Sequence, residues 1–542
     1  MSEKILINGE WVTAHSQKTK AIFNPATLEK IGVAPDCDEL DVNAAVLSAK
    51  RAQKAWWKIP GAEKAILLHE VARRIRKNEK ELSRLMTLET GKPLIESVDC
   101  IEWVAACFDY YAEVGRSSRG LSLPPVAPHQ LNFTIKEPYG VVAAIVPFNF
   151  PLLLMSWKVA PALAAGNTVV CKVPHQNPLS NLLLAQCYDC LPPGVVNVIT
   201  GEGQTTGEFL IRHPDVDLIA FTGSTQVGRH IATVAGEHLK KLNLEMGGVD
   251  PFIVFEDANL DVAVRAVAWA RLLNAGQVCT SSKRIYVVES IAEEFARRLL
   301  EHTQSLKVGD PMLPDTDIGP MISAQALEKV ERQVAQAIKE HAQCVLGGKR
   351  MQPHGLKGYF YEPTILTNVK HGSLLTTEEV FGPVISLTVA RSAEEAIEMA
   401  NDSKYGLGAC IYTNNLELAM TAMENIKAGS FWINDPLTDN DAAPFGGMRL
   451  SGMGRELGEE GLDAFREPKH VHMDYIQEIK SYWYPYKNRK VSPEDLRPEY
   501  SQPERLQSEL LQEVKATETY VNVTERNGNV TNWNANPKER HE

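Results

Sequence analysis

An alternation of strand-like and helix-like segments over residues 141–255 limits the folds that are open to this chain. Short apolar runs such as Val141–Val146 and Thr168–Val173 alternate with longer segments, such as the predicted helix Ser156–Ala165, whose apolar residues recur at helical spacing. Successive strands joined by helices form parallel sheets, because a parallel connection must cross back over the sheet. A second series of the same type runs from Phe252 to about Phe445. The sequence therefore predicts an α/β fold with two parallel-sheet lobes and a cleft between them.

Length and charge exclude several classes of protein. The chain has 542 residues, more than one average domain, and a formal net charge of −12. This acidity disfavours a nucleic-acid backbone or an anionic membrane as the main partner, so we expect a small-molecule substrate instead. The apolar region Val141–Trp157 is interrupted by two prolines and an asparagine, which favours a buried strand and helix over a membrane span. We see no signal peptide and expect a cytoplasmic protein.

The nine cysteines are scattered and odd in number, so they predict reduced thiols rather than a disulfide framework. Cys187 and Cys190 have the spacing of a zinc or redox pair, but no second pair accompanies them. They also lie on an apolar helical pattern, which favours core packing. We therefore expect no metal site.

Three short segments carry residue types suited to acyl chemistry. Cys279 follows Asn274-Ala275-Gly276, where a helical pattern ends. It can act as a nucleophile, although a lone cysteine is more often inert. Glu245 ends an apolar strand and can serve as a base. Asn149 lies between two prolines, which hold the backbone around an amide that could stabilise an oxyanion.

Taken together, these segments resemble the aldehyde dehydrogenase superfamily over residues 5–475. The further motifs that carry the resemblance are Phe221-Thr222-Gly223-Ser224-Thr225, Glu379-Val380-Phe381-Gly382-Pro383, Asn401-Asp402-Ser403-Lys404-Tyr405-Gly406-Leu407, Pro444-Phe445-Gly446-Gly447-Met448 and Ser451-Gly452-Met453-Gly454-Arg455-Glu456. The resemblance implies an enzyme that oxidises an aldehyde to the carboxylic acid through a cysteine thiohemiacetal and thioester. It also implies NAD or NADP as the cofactor, and a homodimer or homotetramer.

The resemblance assigns roles to five catalytic residues. Cys279 is implied as the nucleophile, and its backbone N–H together with the Asn149 side chain would hold the oxyanion. Glu245 resembles the base that activates water to hydrolyse the thioester. Lys158 and Glu456 match positions associated with a proton relay, although Lys158 could instead lie on a solvated helix face and Glu456 could form a loop ion pair.

The resemblance also implies a cofactor site across the strand ends. Lys172 would reach the adenine ribose, and Gly223 and Ser224 open a helix whose free N–H groups favour a pyrophosphate. Glu379 matches the residue that binds the nicotinamide ribose, and Phe381 matches the one that packs beside the nicotinamide. The other expected cofactor contacts are Pro147, Phe148 and Gly247.

The chain departs from the family pattern at His175. Where the family often has Lys-Pro-Ser-Glu, this chain has Lys172-Val173-Pro174-His175. The carboxylate that holds the ribose hydroxyls and repels a 2′-phosphate is therefore absent. We expect NAD to be favoured, but NADP stays open because His175 could contact the phosphate.

The resemblance and the composition together predict the domain organisation. The expected parts are a dinucleotide-binding domain (1–118 and 139–246), a catalytic domain (247–446), an oligomerisation arm (119–138 and 464–486) and a C-terminal tail (487–542). Within the tail, Arg505–Lys515 has a helical pattern and Asn527-Gly528 is a hairpin signal, although a partly disordered tail is equally compatible with the composition.

Two alternative functions stay open at this point. In a coenzyme-A-acylating aldehyde dehydrogenase a thiol would take the acyl group, but such relatives generally lack the base that Glu245 provides. A binding or structural relative that has lost its activity would be expected to have lost Cys279, Asn149 or Glu245, and all three are present.

Overall fold

The computed structural model describes residues 3–117, 120–480 and 482–486, and most of its strands belong to two large sheets. The first sheet has the spatial order β2 (Glu10–Thr13), β1 (Lys4–Ile7), β9 (Val196–Ile199), β8 (Thr168–Lys172), β7 (Val141–Ile145), β10 (Leu218–Gly223), β11 (Lys241–Met246) and β21 (Gly452–Met453). The second has the order β14 (Gln343–Leu346), β15 (Thr364–Thr367), β16 (Val384–Ala390), β13 (Ser282–Val288), β12 (Asp250–Val254), β18 (Gly408–Tyr412) and β19 (Ser430–Ile433). The predicted α/β class with two sheet-containing lobes is confirmed.

Each large sheet is parallel in its centre and antiparallel at an edge. In the first sheet β9, β8, β7, β10 and β11 run parallel, whereas β1 and β2 at one edge and β21 at the other pair antiparallel. In the second sheet only the pairing of β14 with β15 is antiparallel. The prediction of parallel sheets therefore holds for the central strands, because strands added at an edge do not need a crossover helix.

Helices connect the parallel strands and cover the sheets. Their bounds are α1 (Glu39–Lys58), α2 (Gly61–Lys77), α3 (Glu79–Thr90), α4 (Leu94–Ser117), α5 (Pro151–Ala165), α6 (Leu179–Ala185), α7 (Glu208–Arg212), α8 (Thr225–His238), α9 (Leu260–Leu272), α10 (Glu289–Gln304), α11 (Ala324–Lys339), α12 (Leu374–Thr377), α13 (Ala393–Asn401), α14 (Leu416–Asn425) and α15 (Gly458–Asp463). Apolar side chains between these helices and the sheets form the main core clusters.

The connection from β7 to β8 shows how the sequence positions one end of the cleft. Every residue of β8 is buried, as is typical of a strand covered by helices on both faces. α5 begins at Pro151, whereas the pattern predicted a start at Ser156, because proline lacks an N–H and is tolerated in the first helical turn. α5 ends at Ala165 and is capped by Gly166, whose φ of 98° is the left-handed conformation that favours glycine.

Three smaller sheets complete the described chain. β3 (Thr19–Phe23) pairs with β4 (Lys30–Pro35), and β17 (Tyr405–Gly406) pairs with β20 (Met448–Arg449). A three-stranded sheet has the order β22 (Arg466–Asp474), β6 (Gln130–Pro138) and β5 (Ser122–Leu123). Its strands come from the two segments for which an oligomerisation arm is expected.

Two further expectations can be compared with the described residues. No helix among them has the length and apolar character needed to cross a bilayer. No group of three or more histidine, cysteine or carboxylate side chains within residues 3–117, 120–480 and 482–486 could hold a metal ion. The predicted tail helix and hairpin lie outside the described residues.

Candidate active site

Cys279 lies in the walls of two cavities. A cavity of about 250 Å³ is lined by the loops at the carboxyl ends of β7, β10 and β11. A second cavity of about 740 Å³ is lined by α4, α5, α9 and the loop that follows β19. Leu154 and Phe445 also line both cavities. We call them the small and the large cavity.

The nucleophile loop, defined here as Leu273–Cys279, has a strained backbone. Asn274 and the residue after it have φ values of 50° and 54°, which are uncommon for residues other than glycine. The Asn274 N–H donates to the Glu96 carboxylate at 3.1 Å. Lys283 Nζ donates to the Cys279 carbonyl and to the preceding carbonyl. Interactions from both sides of the loop therefore offset the strain.

The thiol of Cys279 is protonated at neutral pH in this state. Burial raises its pKa to about 12, and the charge of Lys283 opposes that shift only in part. Nearby carboxylates, including Asp250 and Glu379, raise the pKa further. The reactive thiolate therefore requires a proton acceptor or a change of charge when ligands bind.

The side chain of Asn149 is tied to the nucleophile loop. Asn149 is buried, and its Nδ2 donates to the Gln277 carbonyl at 3.0 Å. In return, Asn274 Nδ2 donates to the Asn149 carbonyl at 3.2 Å. These two bonds hold an amide donor beside Cys279, where the predicted oxyanion would form.

The carboxylate of Glu245 lies at the end of β11, and only one of its two oxygens accepts a hydrogen bond. Its Oε2 accepts the Gly447 N–H at 3.2 Å, whereas the buried Oε1 has no hydrogen-bond partner among the described residues. Burial raises the pKa of Glu245 well above its usual value, and the charge of Glu456 raises it further. Both Glu245 and Cys279 line the small cavity. A carboxyl with a raised pKa is the group expected of a base that must gain and lose a proton.

Lys158 and Glu456 form a buried ion pair next to this carboxylate. Lys158 Nζ lies 2.5 Å from Glu456 Oε1, and the two side chains are 0% and 1% exposed. Lys158 also donates to Thr222 Oγ1 at 2.6 Å, and Thr222 is paired in register with Glu245. The alternative of a solvated helix face is therefore wrong for Lys158, whereas Glu456 does form an ion pair, as its alternative expected, although a buried one.

Most of the expected cofactor residues line the small cavity. These residues are Pro147, Phe148, Gly223, Ser224, Gly247, Glu379 and Phe381. The Phe148 and Phe381 rings meet edge to face with centroids 6.0 Å apart. Ser224 caps α8 by accepting the Val227 N–H. The remaining N–H groups of that first turn form an electropositive helix end.

Two details fit the binding of a ribose at this cavity. A Cβ on Gly247 would lie 2.4 Å from Glu379 Oε2, so only glycine allows the Glu379 carboxylate to lie in this place. Glu379 Oε1 is buried and makes no well-oriented hydrogen bond, although Lys283 Nζ is 3.3 Å away. An oxygen in that state can still accept a hydroxyl of a bound ribose.

Lys172 and His175 lie apart from the small cavity. Lys172 ends β8, and its buried Nζ donates to the Val173 carbonyl at 3.3 Å. His175 lines a separate small cleft with Lys20 and Glu202, at the neighbouring strand end. The structure therefore brings seven of the nine expected cofactor residues together and leaves these two at the adjacent strand ends.

The large cavity contains acidic residues that sequence reasoning missed. Asp99, Asp439 and Asp441 lie in its wall, and their carboxylates have no hydrogen-bond or ion-pair partner among the described residues. Burial, followed by the charge of Asp441, raises the pKa of Asp439 to about 7. The aromatic rings in this wall are Trp103, Phe150, Trp157, Trp269 and Phe445. No local motif marks the acids, because they come from α4 and from a loop more than 300 residues further along the chain.

Comparison with known proteins identifies the family that has this arrangement. The model of the aldehyde dehydrogenase family matches residues 11–471. The chain is 38% identical over 477 residues to betaine aldehyde dehydrogenase of Bacillus subtilis (strain 168), covering 87% of this chain and 97% of that protein. It is 40% identical over 500 residues to a chloroplastic aminoaldehyde dehydrogenase of Arabidopsis thaliana, covering 90% and 99%. A crystal structure of betaine aldehyde dehydrogenase from Staphylococcus aureus in complex with NAD+ superposes with a TM-score of 0.87 at 35% identity, covering 89% and 97%.

Proposed function

This chain belongs to the aldehyde dehydrogenase family, and from that premise we propose that Cys279, Asn149 and Glu245 carry its reaction in the hydrolytic form. The chain is an enzyme that oxidises aldehydes to carboxylic acids with NAD or NADP. The observation that carries the proposal is the small cavity, whose wall contains the thiol of Cys279, the amide of Asn149 and the unsatisfied carboxylate of Glu245.

The first half of the reaction acylates Cys279. The thiol loses its proton to solvent, Sγ bonds to the aldehyde carbon, and the carbonyl oxygen becomes an oxyanion. The Asn149 Nδ2 and the Cys279 N–H donate to that oxygen, and loss of one such donor typically costs about 3 kcal/mol. A bound nicotinamide would accept the hydride that leaves the former aldehyde carbon as the oxyanion returns to a carbonyl. The product on Cys279 is a thioester.

The second half hydrolyses the thioester. Glu245 accepts a proton from a water molecule, the water oxygen bonds to the acyl carbon, and the C–S bond breaks to return Cys279 as a thiolate. The proton must then leave a buried carboxyl. Lys158, hydrogen-bonded to Thr222 and paired with Glu456, lies next to Glu245 and supports a relay role for this pair.

For the cofactor, we propose that Glu379 binds the nicotinamide ribose and that Phe381 packs beside the nicotinamide. The first turn of α8, which begins after Gly223 and Ser224, would hold the pyrophosphate. Lys172 would reach the adenine ribose from the end of β8. The position of the Glu379 carboxylate against Gly247, and its Oε1 that makes no hydrogen bond, support this placement.

We propose further that the preferred aldehyde carries a positive charge. The unpartnered carboxylates of Asp99, Asp439 and Asp441 and the aromatic wall of the large cavity form a suitable environment, because carboxylates and ring faces both attract cations. Burial leaves Asp439 partly protonated at neutral pH, and a bound cation would favour its ionised form. The betaine aldehyde and aminoaldehyde dehydrogenases among the relatives support this class of substrate.

The reaction type is tested by an assay with a panel of aldehydes, with NAD and NADP separately, and with and without coenzyme A. Turnover without coenzyme A is expected. Activity only in the presence of coenzyme A would favour the acylating alternative, and complete inactivity across the panel would favour a relative that has lost catalysis.

The substrate class is tested by comparing kcat/KM for an ω-amino aldehyde with that for the unbranched alkyl aldehyde of equal length. We expect the charged substrate to be preferred by about tenfold or more, and Asp439→Asn to reduce that preference about tenfold. Asp317→Asn is the matched control, because its carboxylate lines the same cavity but already accepts the Lys307 N–H at 2.7 Å. A wild-type preference for the neutral aldehyde would contradict the proposal.

For assembly and location, we propose a homodimer or homotetramer in the cytoplasm. The small sheet of β5, β6 and β22 supports a role in subunit contact, since its strands come from two separated segments. All nine cysteines are free, as expected of a reducing compartment. Light scattering on the purified protein would test the assembly, and a monomeric mass would contradict it.

A further inference from the structure

Charged side chains surround the carboxyl ends of β8 and β9, outside both catalytic cavities. Lys172 is paired in register with Ile199, so the two strand ends are adjacent. Glu202 follows β9, and its Oε1 lies 2.9 Å from Lys20 Nζ. Its Oε2 lies 3.7 Å from His175 Nε2. Ligands of open α/β sheets bind at this end of the strands, so the group lies where the proposed cofactor site extends towards the adenine ribose.

The basic side chains that line the cleft are paired or neutral, and Lys172 is not among them. Lys20 is paired with Glu202, whereas the Nζ of Lys172 is buried and donates to a backbone carbonyl. Burial and the charge of Lys20 lower the pKa of His175, so its imidazole is neutral at pH 7. Asp36, whose carboxylate has no partner among the described residues, lines the same cleft. A phosphate bound here would therefore meet no unpaired cation in this cleft.

The Glu202 carboxylate stays ionised at neutral pH. Its hydrogen bond from Lys20 lowers its pKa, which keeps the charge at neutral pH. The side chain is 47% exposed, so it faces solvent, where a ligand can approach. The neutral side chain of His175 lies against it and supplies no compensating charge.

We propose that Glu202 selects NAD over NADP, by supplying from β9 the negative charge that is missing at His175. The inference rests on the proposed function. A phosphate carries a charge of about −1.5 to −2 at neutral pH, and it would be repelled by Glu202 and Asp36. The uncharged ribose hydroxyls of NAD avoid that repulsion and can donate to a carboxylate. His175 then orients Glu202 and does not bind a phosphate.

The test measures the equilibrium binding of NADH and NADPH to the full-length protein without aldehyde. The fluorescence of the reduced nicotinamide reports the binding. The wild type is expected to bind NADH about tenfold more tightly. Glu202→Gln should strengthen NADPH binding about tenfold and change NADH binding less than about threefold. Lys20→Met should weaken NADPH binding, because it leaves the charge of Glu202 unpaired.

Two controls separate a specific charge effect from damage to the fold. Glu81→Gln removes a carboxylate of equal exposure, 46%, that pairs with Arg84 on α3, and it should leave the ratio of the two dissociation constants unchanged. In the wild type, raising the salt concentration to about 1 M shortens the Debye length to about 3 Å and should narrow the difference between the two cofactors without any mutation.

Equal affinity of the wild type for NADH and NADPH would overturn the proposal. So would an unchanged ratio in a Glu202→Gln protein that still binds NADH normally. Failure of the wild type to bind either dinucleotide would instead contradict the cofactor site of the proposed function, so the two failures are distinguishable.

Discussion

The small and the large cavity meet at Cys279 but are built in different ways. The small cavity is formed by contiguous motifs at strand ends, such as Phe221–Thr225, and by closely packed glycines, such as Gly247. The large cavity is formed by side chains from distant helices and loops, among them Asp99 and Asp439. In the proposed function the small cavity carries the chemistry and the cofactor, and the large cavity selects the aldehyde. Variants that affect one cavity should therefore leave the other unaffected.

The largest effect is expected at the residue that both cavities share. We expect Cys279→Ala to lower aldehyde oxidation by at least about a thousandfold, since no other nucleophile is proposed. NADH binding should persist, because the cofactor residues remain in place. The measurement is NADH formation alongside NADH binding. Turnover near the wild-type rate would contradict the assignment of the nucleophile.

The next effect should be confined to the small cavity. In Gly247→Ala the new Cβ would meet Glu379 Oε2 at 2.4 Å and displace the carboxylate. We expect the dissociation constant of NADH to rise about tenfold or more, as expected when a charged hydrogen bond is lost. The KM for aldehyde at saturating cofactor should stay within about twofold. A change of similar size in the dissociation constant of NADH and in the KM for aldehyde would contradict the independence of the two cavities.

A smaller effect is expected when Glu456→Gln changes the pH profile of thioester hydrolysis. In the proposed mechanism Glu245 acts as a base in its ionised form, so the rate of thioester hydrolysis should rise with pH through the pKa of Glu245. The charge of Glu456 raises that pKa. Glu456→Gln removes this charge and leaves Lys158 positive, so the rising limb should move to lower pH, while the plateau falls because the relay partner is lost.

The pH profile of single-turnover thioester hydrolysis measures this shift. Glu460→Gln, an exposed carboxylate on α15, is the control and should leave the limb in place. A limb that stays fixed in Glu456→Gln, or moves to higher pH, would contradict the coupling of Glu245 to the ion pair.

The same comparison explains what the sequence could predict. The fold class and the small cavity follow from local patterns, because strand ends and glycine turns bring adjacent motif residues to one edge of a sheet. Asp99 and Asp439 meet only after the chain has folded, and a solvated acidic residue has the same local pattern. The support of the nucleophile loop by Glu96 and Lys283 was missed for the same reason. The start of α5 at Pro151 was missed because a proline that breaks most helices is tolerated in the first turn.

The most direct test of the central claim, hydrolysis of a Cys279 thioester by water that Glu245 activates, is rapid mixing of Glu245→Gln with aldehyde and excess cofactor. We predict a burst of about one NADH per active site followed by slow turnover, because Glu245 is not the acceptor of the Cys279 proton in the proposed acylation, whereas hydrolysis requires it. Intact-mass spectrometry after the burst should show the acyl group on the protein. Absence of a burst, with NADH formation slowed from the first turnover, would contradict this role of Glu245.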